Sequence, residues 1–476
     1  MPTAVGSIDE CDNKTNRTLR LDGQVSARAK IEKQSRPFTF RTSGFVVSCN
    51  GAARAISLLQ MAQLPTILIW LIAVLSILGM LVRPMGIAEA WWACCGAFLL
   101  VIAGLLPVRR AGHAILEGLD VYLFLAGMMI LAELAREEGV FDWIANIAAA
   151  HANGSPQRLF ALVYLAGVIV TALLSNDATA VVLTPAVLAV VRRAKANAKP
   201  YLLACAFIAN AASFIFPISN PANLVVFGAA MPSLAAWLRI FFAPAIVAIA
   251  VTFLGLRWLS RHELRGAIEN NVAMVKLTAQ AKPALCGLLI SATVLTIASA
   301  LGRSLGAPTC IAAIFTLMVV SSRNRGICLN VARGVSWSVL PLVAGFFVIV
   351  EALRNAGMLG LTLVGLQWLA QTSALLAKFT AAFAVALLSN GMNNLPVGLI
   401  GGMALRHSNN PGVIAHAILL GVDLGPNLSV TGSLATILWL IALRREKVEI
   451  TAWEFFKIGI IVMPLALAAG LLVLSR

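Results

Sequence analysis

Four carboxylates sit inside otherwise apolar stretches of this 476-residue chain: Glu133, Asp177, Glu351 and Asp423. A charge at the centre of a membrane-spanning helix costs about 2.5–3.5 kcal/mol on insertion scales, so such a group is kept for proton relay, cargo binding or an ion pair. Asp177 follows Ser175-Asn176 and precedes Ala178-Thr179. It reads as a proton-binding or cargo-coordinating carboxylate, or as the N-cap of a returning half-helix. Asp423 precedes Leu424-Gly425-Pro426-Asn427, and Asn210 stands at the corresponding place in the first half. A carboxylate replaced by an amide points to titration in one half only. Glu133 and Glu351 each have an arginine at i+3, Arg136 and Arg354, the spacing of an ion pair on one helix face.

Uncharged polar residues surround these groups. Ser175, Asn176 and Thr179 are expected at one hairpin tip, and Ser389, Asn390, Asn393 and Asn394 at another. Ser219, Asn220 and Asn223, then Asn427, Thr431, Ser433 and Thr436, fall in two helix breaks that follow. Hydroxyls and amides both donate and accept, which suits a small neutral polyhydroxyl solute. No Lys or Arg lies in any of the four breaks, whereas a multiply charged anion leans on cations or helix N-termini. His262-Glu263 opens like a zincin motif, but Gly266 stands where the second ligand belongs, and no phosphate-binding loop occurs. The chain is therefore expected to be neither enzyme nor metal or cofactor binder. Its eight cysteines (11, 49, 94, 95, 205, 286, 310 and 328) have no C-x-x-C spacing and read as small core residues.

The elements that must position these groups are membrane helices. The chain is 60% hydrophobic and 12% charged, which excludes an ordinary soluble domain. The net charge of +16 comes without a basic patch interleaved with aromatics, so nucleic acid is not the partner. Residues 1–60 carry nine Lys/Arg, five Asp/Glu and no spanning run; they read as a disordered basic tail, or as a mis-assigned start before Met61. Residues 61–283 form a first repeat with a basic linker, and 284–476 a second. Each repeat is expected to hold five transmembrane helices and one re-entrant hairpin, at about 159–191 and 375–405. Leu125-Ala126-Gly127 through Glu133 and Arg136 matches Val343-Ala344-Gly345 through Glu351 and Arg354. Five spans per half is an odd number, so the halves are expected to be inverted. Stretches near Val140–Ala150 and 359–369 read as interfacial. Threading puts about 19 of the remaining Lys/Arg on one side and about 8 on the other. The rich side, with Arg192, Arg193, Arg257, Arg444 and Arg445, is expected to be cytoplasmic, leaving both termini outside.

Ser389-Asn390-Gly391-Met392-Asn393-Asn394-Leu395-Pro396 resembles the S-x-x-M-N-N-x-P element of bacterial arsenite efflux pumps, the arsenical-resistance membrane pumps. So do Asp423-Leu424-Gly425-Pro426-Asn427 and Gly432-Ser433-Leu434-Ala435-Thr436. Ser175-Asn176-Asp177-Ala178-Thr179-Ala180 is a looser match, and the resemblance runs from about Leu64 to Ser475. Ser219-Asn220-Pro221-Ala222-Asn223 looks more like the wider ion transporter superfamily, which includes sodium–proton antiporters and divalent-anion symporters. The resemblance implies a multi-pass protein of the inner (cytoplasmic) membrane that exports arsenite and antimonite in exchange for protons and so confers arsenical resistance. It implies that Asp177 or Asp423 carries the proton, and that some relatives dock a soluble arsenite-stimulated ATPase. A cation–proton antiporter or an organic-anion carrier on the same fold stays open.

Overall fold

In the computed structural model, residues 49–269, 276–408 and 412–474 are described, with side chains from residue 63 onward except at position 229. The basic tail and the question of a start at Met61 lie outside the described residues. Contacts divide the chain into Met1–Gln60, in which the first helix begins, and the larger unit Met61–Arg476.

Helices make up that unit, and no strand occurs among the described residues. The first half contains α1 (Cys49–Val82), α2 (Glu89–Ile102), α3 (Val108–Glu117), α4 (Leu119–Glu137), α5 (Val140–Ala150), α6 (Pro156–Leu173), α7 (Thr184–Arg193), α8 (Ala198–Ala211), α9 (Pro221–Phe227) and α10 (Leu234–Leu259). The second contains α11 (Ala281–Ala300), α12 (Gly306–Ser321), α13 (Ile327–Gly334), α14 (Val339–Asn355), α15 (Met358–Ala370), α16 (Ala374–Met392), α17 (Asn394–Arg406), α18 (Gly412–Leu424), α19 (Leu434–Arg445) and α20 (Ala452–Val473). The two lists correspond in order. Gly139 and Gly357, at φ 76° and 87°, end α4 and α14 in the left-handed region that glycine enters without steric cost.

Partners are exchanged between the halves. α4 packs along α12, and α14 along α2. A Cβ on Gly127 would lie 2.8 Å from the Thr309–Cys310 backbone, and one on Gly345 would lie 2.8 Å from Ala93 Cβ. Small residues let helix backbones approach closely where lipid supplies no hydrophobic drive, and here the same contact is made once in each direction. α10 meets α20, α9 meets α17, and α19 meets the segment after the first hairpin tip.

Seven helices among the described residues are long and apolar enough to cross a membrane, or eight if α3 and α4, bent by 48°, count as one span. The other expected crossings are the short helices α2 and α12 and the broken pairs α8–α9 and α18–α19. α5 buries Val140, Phe141, Ala145 and Ala149 against α6 and α7, so it is a packed part of the hairpin scaffold as well as a short amphipathic piece.

The hairpin tips differ from the expected polar breaks. In the first, α6 stops at Leu173, Asn176 and Asp177 are already helical, and Ala178–Leu183 is a wide π-helical turn before α7. Such turns recur at functional sites. In the second, Ser389 and Asn390 are not in the break at all. They form the last turn of α16, with Ser389 Oγ donating to Val385 O (2.9 Å) and Asn390 Nδ2 to Ala386 O (2.7 Å). Bonded back to their own helix, they cost it little; only Asn393, at φ 72° and ψ 152°, leaves helical geometry. The cysteine reading is also corrected: Cys205 is buried, but Cys95, Cys286 and Cys328 are exposed on outer helix faces.

Candidate functional site

The two broken helix pairs cross in the buried centre of the Met61–Arg476 unit. Asn220 caps α9 by accepting from Ala222 N (3.0 Å) and donates from Nδ2 to Asp423 Oδ1 (2.6 Å). Asp423 is fully buried, and its Oδ2 makes no hydrogen bond to the protein among the described residues. The mirror contact joins Ser433 Oγ to Asn210 Oδ1 at 3.3 Å, with Ser433 capping α19 through Thr436 N (3.2 Å). Asp423 and Asn210 are 213 positions apart, as are Ser433 and Asn220. One half thus uses a carboxylate where the other uses an amide. Asn427 closes the network, accepting from Asn210 Nδ2 and donating to Phe207 O, both at 3.0 Å.

Most of the other polar residues brace the unwound backbone. Carbonyls freed by a break at membrane depth need donors that lipid cannot supply. Asn223 Nδ2 donates to Ser213 O (2.9 Å) and to the carbonyls of Phe216 and Pro217 (3.3 Å each), which leaves its Oδ1 unpartnered. Asn390 donates to Gly425 O (2.8 Å) and accepts from Ser429 Oγ (2.6 Å), while Thr431 Oγ1 donates to Asn390 O (3.0 Å). Thr436 Oγ1 donates to Val430 O (2.8 Å), Ser219 Oγ to Ala172 O (3.1 Å), and Thr171 pairs with Thr179 (2.8 Å). Ser175 Oγ accepts from Ala178 N, and Asn176 Oδ1 from Asp177 N. Asn393 Oδ1 accepts from Leu395 N, and Asn394 is buried beside it. Ser213 and Ser429 escaped the sequence-based site, and neither carries a signal in the sequence. Asn210 was visible there only as the counterpart of Asp423, 213 positions away, and not as a member of the site.

Cavities approach this centre from opposite ends of α4. One of about 60 Å³ is lined by Ser175, Asp177, Phe124, Pro221, Gly334 and, at the end of α4, Glu133. Another of about 670 Å³ begins where α4 begins, with Glu117, Asp120, Arg303, Arg354, Arg406 and His407 around it and Val121, Leu224 and Leu399 deeper in. Pro221 lines one and Leu224 the other, so about one turn of α9 separates them. Asn393 lines a space of about 10 Å³ with Glu89 and Met392. Glu133 receives Arg136 on both oxygens (2.6 and 2.9 Å), and Arg354 Nε meets Glu351 Oε2 at 3.1 Å.

Two cavities separated by a thin plug of packed side chains, beside broken helices, define a membrane transporter. A family model described as citrate transporter matches residues 67–421. The arsenical pump membrane protein of Escherichia coli is 31% identical over 407 residues, covering 82% of this chain and 94% of that protein. The protein of that name from Yersinia enterocolitica is 30% identical over 403 residues, with the same coverage. An uncharacterised transporter of Mycobacterium tuberculosis is 27% identical over 374 residues, 73% of this chain and 84% of that one. The crystal structure of the Alcanivorax borkumensis YdaH transporter, titled as revealing an unusual topology, shares the fold at a TM-score of 0.51 and 16% identity, over 86% of this chain and 97% of that one. The chain belongs to the arsenical pump membrane protein family, and it is a multi-pass membrane protein.

Proposed function

We propose that this transporter exports arsenite and antimonite across the cytoplasmic membrane in exchange for protons. The observation that carries the reading is the composition of the central crossing and the hairpin tips: amides and hydroxyls, with Asp423 in the crossing, Asp177 at the first tip, and no Lys or Arg in any break. Arsenous acid is mostly neutral near pH 7, and its three hydroxyls match groups that donate and accept. The names of the relatives support the cargo. Asp177 or Asp423 takes a proton from outside, cargo leaves, and the two halves rock about the hairpins as inverted repeats, with the ends of α7, α10 and α19 facing the cytoplasm. A soluble ATPase would dock on those basic ends.

The test is proton-gradient-driven arsenite uptake into everted vesicles, with Asp177→Asn and Asp423→Asn alongside. Uptake that collapses with an uncoupler is expected, as is its loss in at least one variant. Gradient-driven uptake that survives in both variants would remove the carboxylates from the mechanism. A second reading, carriage of an organic anion, is favoured by Arg303, Arg354 and Arg406 around the large cavity and by the family model's description. It predicts sodium-driven citrate uptake in the same vesicles and none of arsenite.

A further inference from the structure

Glu133 looks like half of an ordinary ion pair, but its position says more. It is 7% exposed and lines the same cavity as Asp177. Its carboxylate occupies the space beside Gly334 that any side chain there would fill, since a Cβ at that position would overlap Glu133 Oε1. Asp177, in turn, has no side-chain hydrogen bond to the protein among the described residues, and it borders this cavity at membrane depth. At about 30 Å³ per water the cavity has room for at least two waters. Exposure then rises along α4, from 9% of the Glu133 side chain to 21% of Glu137.

The other half lacks this arrangement. The residue 214 positions after Asp177 is Gly391. Glu351, the counterpart of Glu133, does not line the large cavity, although its partner Arg354 does. Among the charged groups on elements packed around Asp177, Glu133 alone shares its cavity. Asp142 on α5, Arg192 on α7, Lys199 on α8 and Arg444 on α19 do not line it.

We propose that Glu133 is the relay through which Asp177 exchanges its proton with water at the C-terminal end of α4. The inference rests on the reading of Asp177 as a proton carrier. The Asp177 carboxylic acid gives its proton to a cavity water, and the water chain gives one to the Glu133 carboxylate. Glu133 then releases it to water beyond, and Asp177 is left ionised. Arg136 contacts Glu137 as well as Glu133, so it keeps an anionic partner while Glu133 carries the proton. Gly334 is the positioning residue, because its missing side chain holds the relay open.

Two transport modes in reconstituted vesicles separate the relay from a structural role. Arsenite counterflow exchanges cargo for cargo and needs no net proton movement, whereas gradient-driven uptake does. Glu133→Gln is expected to keep counterflow near the wild-type rate while gradient-driven uptake falls about a hundredfold or more, the usual range for a lost acid–base group. Glu133→Asp should restore most of it. Gly334→Ala should reproduce the split without altering any ionisable group, and Glu133→Gln with Arg136→Gln keeps the charge balanced if the single variant folds poorly. Gradient-driven uptake at the wild-type rate in Glu133→Gln, or equal loss of both modes in the balanced variant, would overturn the relay. Absence of counterflow in the wild type would instead remove the functional reading beneath it.

Discussion

Asp423 accepts from Asn220 on one oxygen, and its other oxygen makes no hydrogen bond among the described residues, while the side chain is fully buried. A buried polar group left without its partner costs about 1–3 kcal/mol, and more if charged, whereas a made neutral bond contributes about 1 kcal/mol net. The two mirror contacts should therefore differ. Asn220→Ala takes from Asp423 its 2.6 Å amide donor and removes the cap of α9, and it is expected to lower stability by about 2–3 kcal/mol. Ser433→Ala removes a longer neutral bond and a cap, with an expected loss of about 1 kcal/mol. Thermal melts of the purified protein in detergent would rank them. The opposite order would mean that the Asn220–Asp423 bond is not the stronger of the two.

Among the elements, the second hairpin concentrates its departure from helix in one residue. Asn393, at φ 72° and ψ 152°, occupies a region almost reserved for glycine and stores of order 1–3 kcal/mol. Asn393→Gly is expected to raise the melting temperature, with a gain of about 1 kcal/mol, while transport falls as the tip loses its enforced geometry. A variant destabilised by the change would show that its bond to Leu395 N outweighs the strain. The turn that follows α18 imposes the opposite constraint, since a Cβ on Gly425 would come within 2.6 Å of Ala386 Cα. Gly425→Ala must push α16 and α18 apart, at about 1–3 kcal/mol, visible as loss of monodisperse protein on size exclusion.

At the scale of the molecule the two ends are unequal, one opening into about 670 Å³ and the other into about 60 Å³. If cargo passes by alternating access, the large cavity must close in the opposite state. Glu117 at the end of α3 and Arg406 at the end of α17 then approach each other from different halves. Cysteines at these two positions are expected to cross-link under oxidation and to arrest transport until reduced. Cross-linking that leaves transport intact would place the moving surface elsewhere. Orientation has its own check. A cysteine replacing Arg445 should react with an impermeant maleimide only in inside-out vesicles, and one replacing Arg406 only in right-side-out ones.

Composition and apolar run length by themselves determined an all-helical membrane protein, because hydrocarbon admits only segments that satisfy their own backbone. The close helix contacts at Gly127 and Gly345 and the two Glu–Arg pairs were legible, since close approach and i,i+3 pairing depend on residue type and local spacing. The polar residues of the site were legible as a set, for few polar groups survive in such stretches without a task. Their separate roles were not. Whether an amide faces a cavity or a broken backbone depends on where a second helix places its carbonyls, as with Asn223 and Asn390. Tertiary packing alone turned Asn220 toward Asp423 and Ser433 toward Asn210. It also brought Gly334, 201 positions away in the chain, against Glu133, opening a shared cavity for two carboxylates that the sequence keeps far apart.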